Sequence, residues 1–169
     1  MKKVGLLICG LICFAFATKA QDWKVNLGSN APSFVVEGKD QKKISSESLR
    51  GKVVLLNFFA TWCPPCRREL PRLQKEIWEP LKDNEEFAVL VLAREEGWDK
   101  IDPFVKDNGY TFPVYPDLKR GVFGLFADQS IPRNVVLDRS GKIIYQSIGF
   151  EDQEFTKMVE LIKAEVGKQ

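Results

Sequence analysis

Residues 21–169 of this chain predict an α/β domain with a mixed central β-sheet flanked by helices. Two observations lead there. Val53–Ala60 and Phe87–Ala93 are apolar runs of strand length without polar alternation, as expected of strands covered on both sheet faces. Each is followed by a stretch of helical character, and the chain closes with a hairpin pattern and an amphipathic helix, so strands and helices alternate.

The elements follow in order. Residues 22–33 read as an irregular lead-in closed by Ala31-Pro32, then Phe34–Val36 as a short strand and Glu37–Lys43 as a polar turn. After the Val53–Ala60 strand, a helix is expected from Pro64 to about Leu81. Beyond the second apolar strand, Asp99–Asn108 reads as a helix stopped by Gly109, whose missing Cβ suits a C-terminal cap. "KRGVFGLFAD" (119–128) reads as a short, glycine-weakened helix. Asn134–Leu137 and Lys142–Ser147 form strands joined by "DRSG", a turn around Gly141. Glu151–Val166 carries Phe155, Val159, Ile162 and Val166 at helical spacing. No repeat, low-complexity tract or interdomain linker interrupts this pattern.

Residues 1–20, "MKKVGLLICGLICFAFATKA", have the layout of a signal peptide: a basic start at Lys2 and Lys3, an apolar stretch from Val4 to Ala17, and a small-residue exit. Cleavage is expected after Ala20, with Ala17 as the alternative. The apolar run falls short of the ~20 residues that span a bilayer, so no stable membrane span is expected in the mature chain. Without these residues, the basic side chains fall from 25 to 22 against 23 acids. A charge near −1 gives no footing for nucleic acid or an anionic membrane. Cys9 and Cys13 leave as well, so the mature chain holds two cysteines, and the sequence has no histidine.

Those two cysteines stand in "LLNFFATWCPPCRRELP" (55–71). A structural zinc site wants four Cys or His ligands, and the mature chain offers two cysteines and no histidine. Haem attachment needs His after the second cysteine, where Arg67 stands. A staple closing so short a loop would constrain the unfolded chain little. A redox pair fits the context. Cys63 falls where a strand turns into a helix, and unpaired N–H groups and the positive dipole end there favour a thiolate. Pro64 and Pro65 suit a first helical turn, which has no partners for their missing N–H groups. Cys66 lies one turn further in, so Cys63 is expected to be exposed and attacking, Cys66 shielded and resolving. The expected cofactor complement is therefore none beyond the Cys63–Cys66 disulfide, with no metal.

"WCPPC" after a buried strand resembles the active site of the thioredoxin superfamily, and the mature chain resembles its exported TlpA/ResA branch of thiol–disulfide oxidoreductases. The lead-in "LRGKVVLLNFFATWC", the helix-kinking Pro71, the Ile131-Pro132 pair in the place of the family's cis-proline, and the hairpin "VVLDRSGKIIYQSIG" carry the likeness further. The resemblance implies a thioredoxin-like fold over 21–169 and a periplasmic, cell-envelope location. It implies protein substrates bearing disulfides or dithiols, and a thiol protein as electron donor or acceptor. A monomer acting as a reductase is expected.

The resemblance also assigns roles. Pro132 aligns substrate beside the cysteines, and Trp62, Pro65, Ile131 and Arg133 border the substrate. Thioredoxins carry a buried Asp six residues before the first cysteine; here that residue is Asn57, which takes no proton. Glu69, on the Cys66 face of the helix, matches a functional Glu of the ResA-like branch and is the expected proton acceptor for Cys66. The plainer alternative makes Glu69 an early-helix acid favoured by the dipole. Arg133 replaces the Thr common after the cis-proline, and either selects acidic substrates or points to water. Arg67 and Arg68 either lower the thiol pKa and dock a partner, or form a solvated face. Glu95, Glu96 and Trp98 form a loop open to specificity. The rival functions are a peroxiredoxin-type thiol peroxidase, which expects no second cysteine two residues on, and a non-catalytic thioredoxin-like binding module.

Overall fold

The computed structural model describes residues 23–168, so the expected signal peptide lies outside the described residues. A two-stranded hairpin, β1 (Val35–Glu37) and β2 (Lys43–Ser45), precedes a 3-10 turn at Glu47–Leu49. Then come β3 (Val53–Phe59), α1 (Pro64–Arg72), a π-helical turn at Leu73–Trp78 and the short α2 (Glu79–Leu81). The chain continues through β4 (Phe87–Arg94), α3 (Trp98–Asn108), β5 (Val114–Asp117) and α4 (Phe123–Phe126). It ends with β6 (Arg133–Leu137), β7 (Ile143–Ile148) and α5 (Asp152–Val166).

The main sheet runs β5-β4-β3-β6-β7, with β3, β4 and β5 parallel and β6 and β7 antiparallel to their neighbours. It is the mixed sheet the sequence predicts. Every residue of β3 is buried, because both faces are covered. Val53, Leu55 and Phe59 pack with Leu70, Leu73 and Ile77 after Cys66, with Ile101 of α3, and with Phe155, Met158 and Ile162 of α5. Val54, Leu56 and Phe58 face the other way, onto Val36, Leu49, Phe123 and Phe126.

Two strands depart from the sequence expectation. β2 lies in the stretch read as a polar turn and its sequel, and β5 was not expected at all. β5 carries Pro116 and is flanked by Pro113, which argues against a strand. It is an edge strand, where a proline costs no ladder bond on its outer side. The expected single helix from Pro64 to Leu81 is divided. Pro71 has no N–H to give the preceding turn. The Leu73 N–H is shared between the carbonyls of Glu69 and Leu70, and from Leu73 the chain continues as a π turn to Trp78. Gly109 takes φ 66° as the C-cap of α3, and Gly141 takes φ 77° in the β6–β7 turn, both left-handed conformations suited to glycine.

Candidate active site

The site sits at the C-terminal end of β3, where the strand gives way to α1. Cys63 is the N-cap of α1, and its Sγ accepts the backbone N–H of Cys66 at 3.3 Å. Cys63 and Cys66 are joined as a disulfide, with Cα atoms 5.3 Å apart. The Ile131-Pro132 peptide is cis, and the Ile131 carbonyl oxygen lies 3.8 Å from Cys63 Sγ. Two strands far apart in sequence thus deliver the cysteine turn and the proline loop to one place.

A cleft of about 380 Å³ opens there, lined among others by Trp62, Cys63, Pro64, Pro65, Arg94 and Ile131. Cys66 and Arg133 are not among its lining residues. Trp62 is 62% exposed and stands at the rim. In this disulfide form Cys63 is only 2% exposed and Cys66 fully buried, so the contrast expected from the sequence is smaller than expected. What distinguishes the two sulfurs is that Cys63 faces the cleft. Arg67 and Arg68 are exposed, and Arg67 lies over the Phe104 ring at 5.8 Å.

Arg133 occupies neither of its two expected places. It is 0% exposed, so it does not point to water, and it does not line the cleft. Its Nε donates to the carbonyls of Gln129 (2.9 Å) and Ser130 (3.0 Å), and its guanidinium stacks on Trp23 at 4.3 Å. Strand β6 turns this side chain inward, toward the loop that leads to the cis-proline. The cation that does line the cleft is Arg94, at the end of β4, paired with Glu95 at 3.0 Å.

Glu69 is 1% exposed, beneath the cysteine turn. Its Oε2 accepts from Asn57 Nδ2 at 2.9 Å and its Oε1 from Asn134 Nδ2 at 2.5 Å. Burial pushes its pKa up to about 7, against the lowering pull of the Asn134 and Asn57 hydrogen bonds. A carboxylate near neutrality, on the buried face that carries Cys66, can take up or return a proton at physiological pH. An exposed helix-start acid would not be so placed.

Sequence reasoning missed what three residues do here, Glu96 among them, which it placed only in a loop open to specificity. Glu96 takes the Thr61 N–H at 2.7 Å and its hydroxyl at 2.6 Å, holding the turn before Trp62. Asn134, read only as the start of a strand, completes the Glu69 site. Arg94, read as beyond the strand end, supplies the cleft's cation. Only Asn134 left a signal: an amide opening an otherwise apolar strand. Among the described residues, no group of three or more His, Cys, Asp or Glu could hold a metal ion, and no helix is long and apolar enough to cross a membrane.

Comparison with known proteins gives a consistent picture. Residues 27–146 match the AhpC/TSA family. The chain is 32% identical over 154 residues to the thiol-disulfide oxidoreductase ResA of Bacillus cereus, covering 88% of this chain and 86% of that one. It is 33% identical over 142 residues to ResA of Bacillus subtilis, covering 82% and 77%. Among solved structures, one described as a protein disulfide isomerase from Bacteroides thetaiotaomicron superposes with a TM-score of 0.83 at 38% identity, covering 87% of this chain and 94% of that one. A structure described as a thiol:disulfide interchange protein DsbE from Chlorobium tepidum gives 0.72 at 26% identity, covering 85% and 99%.

Proposed function

The chain belongs to the AhpC/TSA family and to its ResA-like thiol–disulfide oxidoreductases, and on that premise we propose that it reduces the disulfides of selected proteins outside the cytoplasm, through Cys63 and Cys66. The observation that carries this reading is the asymmetry of the pair. Of the two sulfurs, only that of Cys63 faces the cleft, at a helix start and beside the Ile131 carbonyl.

The steps follow from that placement. In the reduced protein, the Cys63 thiolate attacks one sulfur of a substrate disulfide. That S–S bond breaks, a mixed disulfide forms, and the first substrate sulfur leaves as a thiolate that takes a proton from water. Cys66 then gives its proton to Glu69 and attacks Cys63 Sγ, expelling the second substrate thiolate. The substrate is reduced and the pair is left as the disulfide seen here. An external dithiol protein must reduce it again. Pro132 shapes the loop whose Ile131 carbonyl borders Cys63, while Trp62, Pro65 and Ile131 form the walls a substrate chain would touch.

The apolar leader after Lys2 and Lys3 supports export, and the Cys63–Cys66 pair by itself carries the two electrons of each exchange, so this reading calls on no metal or organic cofactor. A single chain suffices for every step, consistent with a monomer. A peroxidase of the peroxiredoxin type expects no partner so close to its reactive cysteine, so the Cys63–Cys66 spacing favours exchange.

The test is the reduction potential of the pair, together with turnover of a disulfide-bonded peptide by a dithiol donor. A reductase should lie toward thioredoxin, near or below about −220 mV. A value near about −120 mV, the range of a strong oxidant, would reverse the assigned direction. No turnover at all would leave a binding module.

A further inference from the structure

Glu69 is held by two amides that the sheet register sets side by side. Asn57 of β3 and Asn134 of β6 are directly paired across the antiparallel ladder. Their neighbours two positions along, Leu55 and Val136, pack in the core beneath α1 and α5, so both amides lie on that same face. Asn57 Nδ2 donates to Glu69 Oε2 at 2.9 Å and to Asn134 Oδ1 at 2.8 Å. Asn134 Nδ2 donates to Glu69 Oε1 at 2.5 Å and, at 3.4 Å, to Ser147 Oγ of β7. Each amide thereby uses both of its N–H groups, which fixes its orientation, and each carboxylate oxygen receives one donor.

We propose that Asn134 is a positioning residue of the redox site, setting the orientation and proton affinity of the Glu69 carboxylate. This rests on the reading of Glu69 as the proton acceptor for Cys66. The arrangement is matched to the ionised group, since two donors facing two acceptor oxygens leave a protonated carboxyl without a natural place for its hydrogen. In a site with no water-facing edge, burial alone would favour the neutral acid, and the amides oppose it. Asn57 also binds Asn134, so losing Asn134 removes one donor and unseats the other. The remaining titratable groups around Glu69 are the Tyr145 phenol on β7, whose hydroxyl donates to the Glu154 carbonyl, and the Cys66 thiol once reduced. Neither donates to the carboxylate in the disulfide form.

The test substitutes Asn134→Leu, with Asn134→Ser as a second variant should the first fail to fold. The Glu69 carboxyl is followed by carbon NMR across pH in the oxidised protein, where the cysteines do not titrate. Its midpoint should rise by about one pH unit on losing a hydrogen bond to a charged group. Single-turnover resolution of a mixed disulfide should shift to higher pH in step, and adding either variant to Glu69→Gln should leave the profile where Glu69→Gln puts it. An unmoved Glu69 midpoint in a folded variant overturns the proposal. A midpoint that moves while the resolution profile stays put supports the role of Asn134 and instead overturns Glu69 as the base for Cys66.

Discussion

Glu96 accepts both hydrogen bonds that Thr61 can donate, from its backbone N–H at 2.7 Å and its hydroxyl at 2.6 Å. The carboxylate is buried, and the turn it holds carries Trp62 and Cys63 out of β3 and into α1. Glu96→Ala therefore frees two half-buried donors where the chain turns from β3 into α1. The expected cost is about 2–3 kcal/mol, as for losing hydrogen bonds to a charged group. Urea denaturation of the oxidised protein should show it as a lower midpoint with an unchanged slope. A midpoint within error of wild type would mean the turn is held by its packing alone.

Arg133 gives a second prediction, because its burial separates two roles. A cleft cation would alter substrate choice without altering stability. The observed Arg133 ties the carbonyls of Gln129 and Ser130 to β6 and stacks on Trp23, so its removal should act through the fold. Arg133→Met, close in volume, is expected to lose about 1.5–3 kcal/mol. Preference between acidic and basic disulfide peptides should stay the same. A change in that preference with stability intact would restore the groove role.

The legible parts of the fold share one property: their signal is local. The apolar run of β3, the proline-bounded cysteine pair, the glycine at the end of α3 and the spacing of α5 each report on their own neighbourhood. The parts that escaped are set by partners far away in the chain. β5 is a strand because β4 offers it an edge, despite Pro116. Arg133 turns inward because a loop and an N-terminal tryptophan meet it there. Glu69 could be picked out by its offset from Cys66, but Asn134, 65 residues on, reaches it only through the β3–β6 register.

The order of attack is tested by the cleft asymmetry. Limiting alkylation of the reduced protein should label Cys63 well before Cys66, since Cys63 alone lines the cleft. Cys66→Ser should accumulate mixed disulfides with a substrate peptide, and Cys63→Ser should not. Mass spectrometry of the trapped species checks both. Equal trapping by the two variants would mean that either sulfur can start the reaction.

Glu69 makes the last prediction, in both rate and stability. Its pKa stands near 7 in the folded protein because burial penalises the charge, against an ordinary value of 4.5. The folded state therefore holds a proton that the unfolded state has already released between those two values. Stability must fall as pH rises from about 4.5 to about 7 and level off above, with a total contribution on the order of 3 kcal/mol. Glu69→Gln has nothing to titrate there, so its urea midpoint should lack that decline. In rate, the carboxylate is the form that accepts the Cys66 proton, so resolution should quicken as pH passes through about 7 in the wild type. Glu69→Gln should slow that step by about 10²–10⁴-fold if proton removal limits it. Single-turnover exchange with a disulfide peptide across pH measures this directly. If the two profiles superimpose while the stability curves differ, the buried charge is real but Cys66 loses its proton by another route.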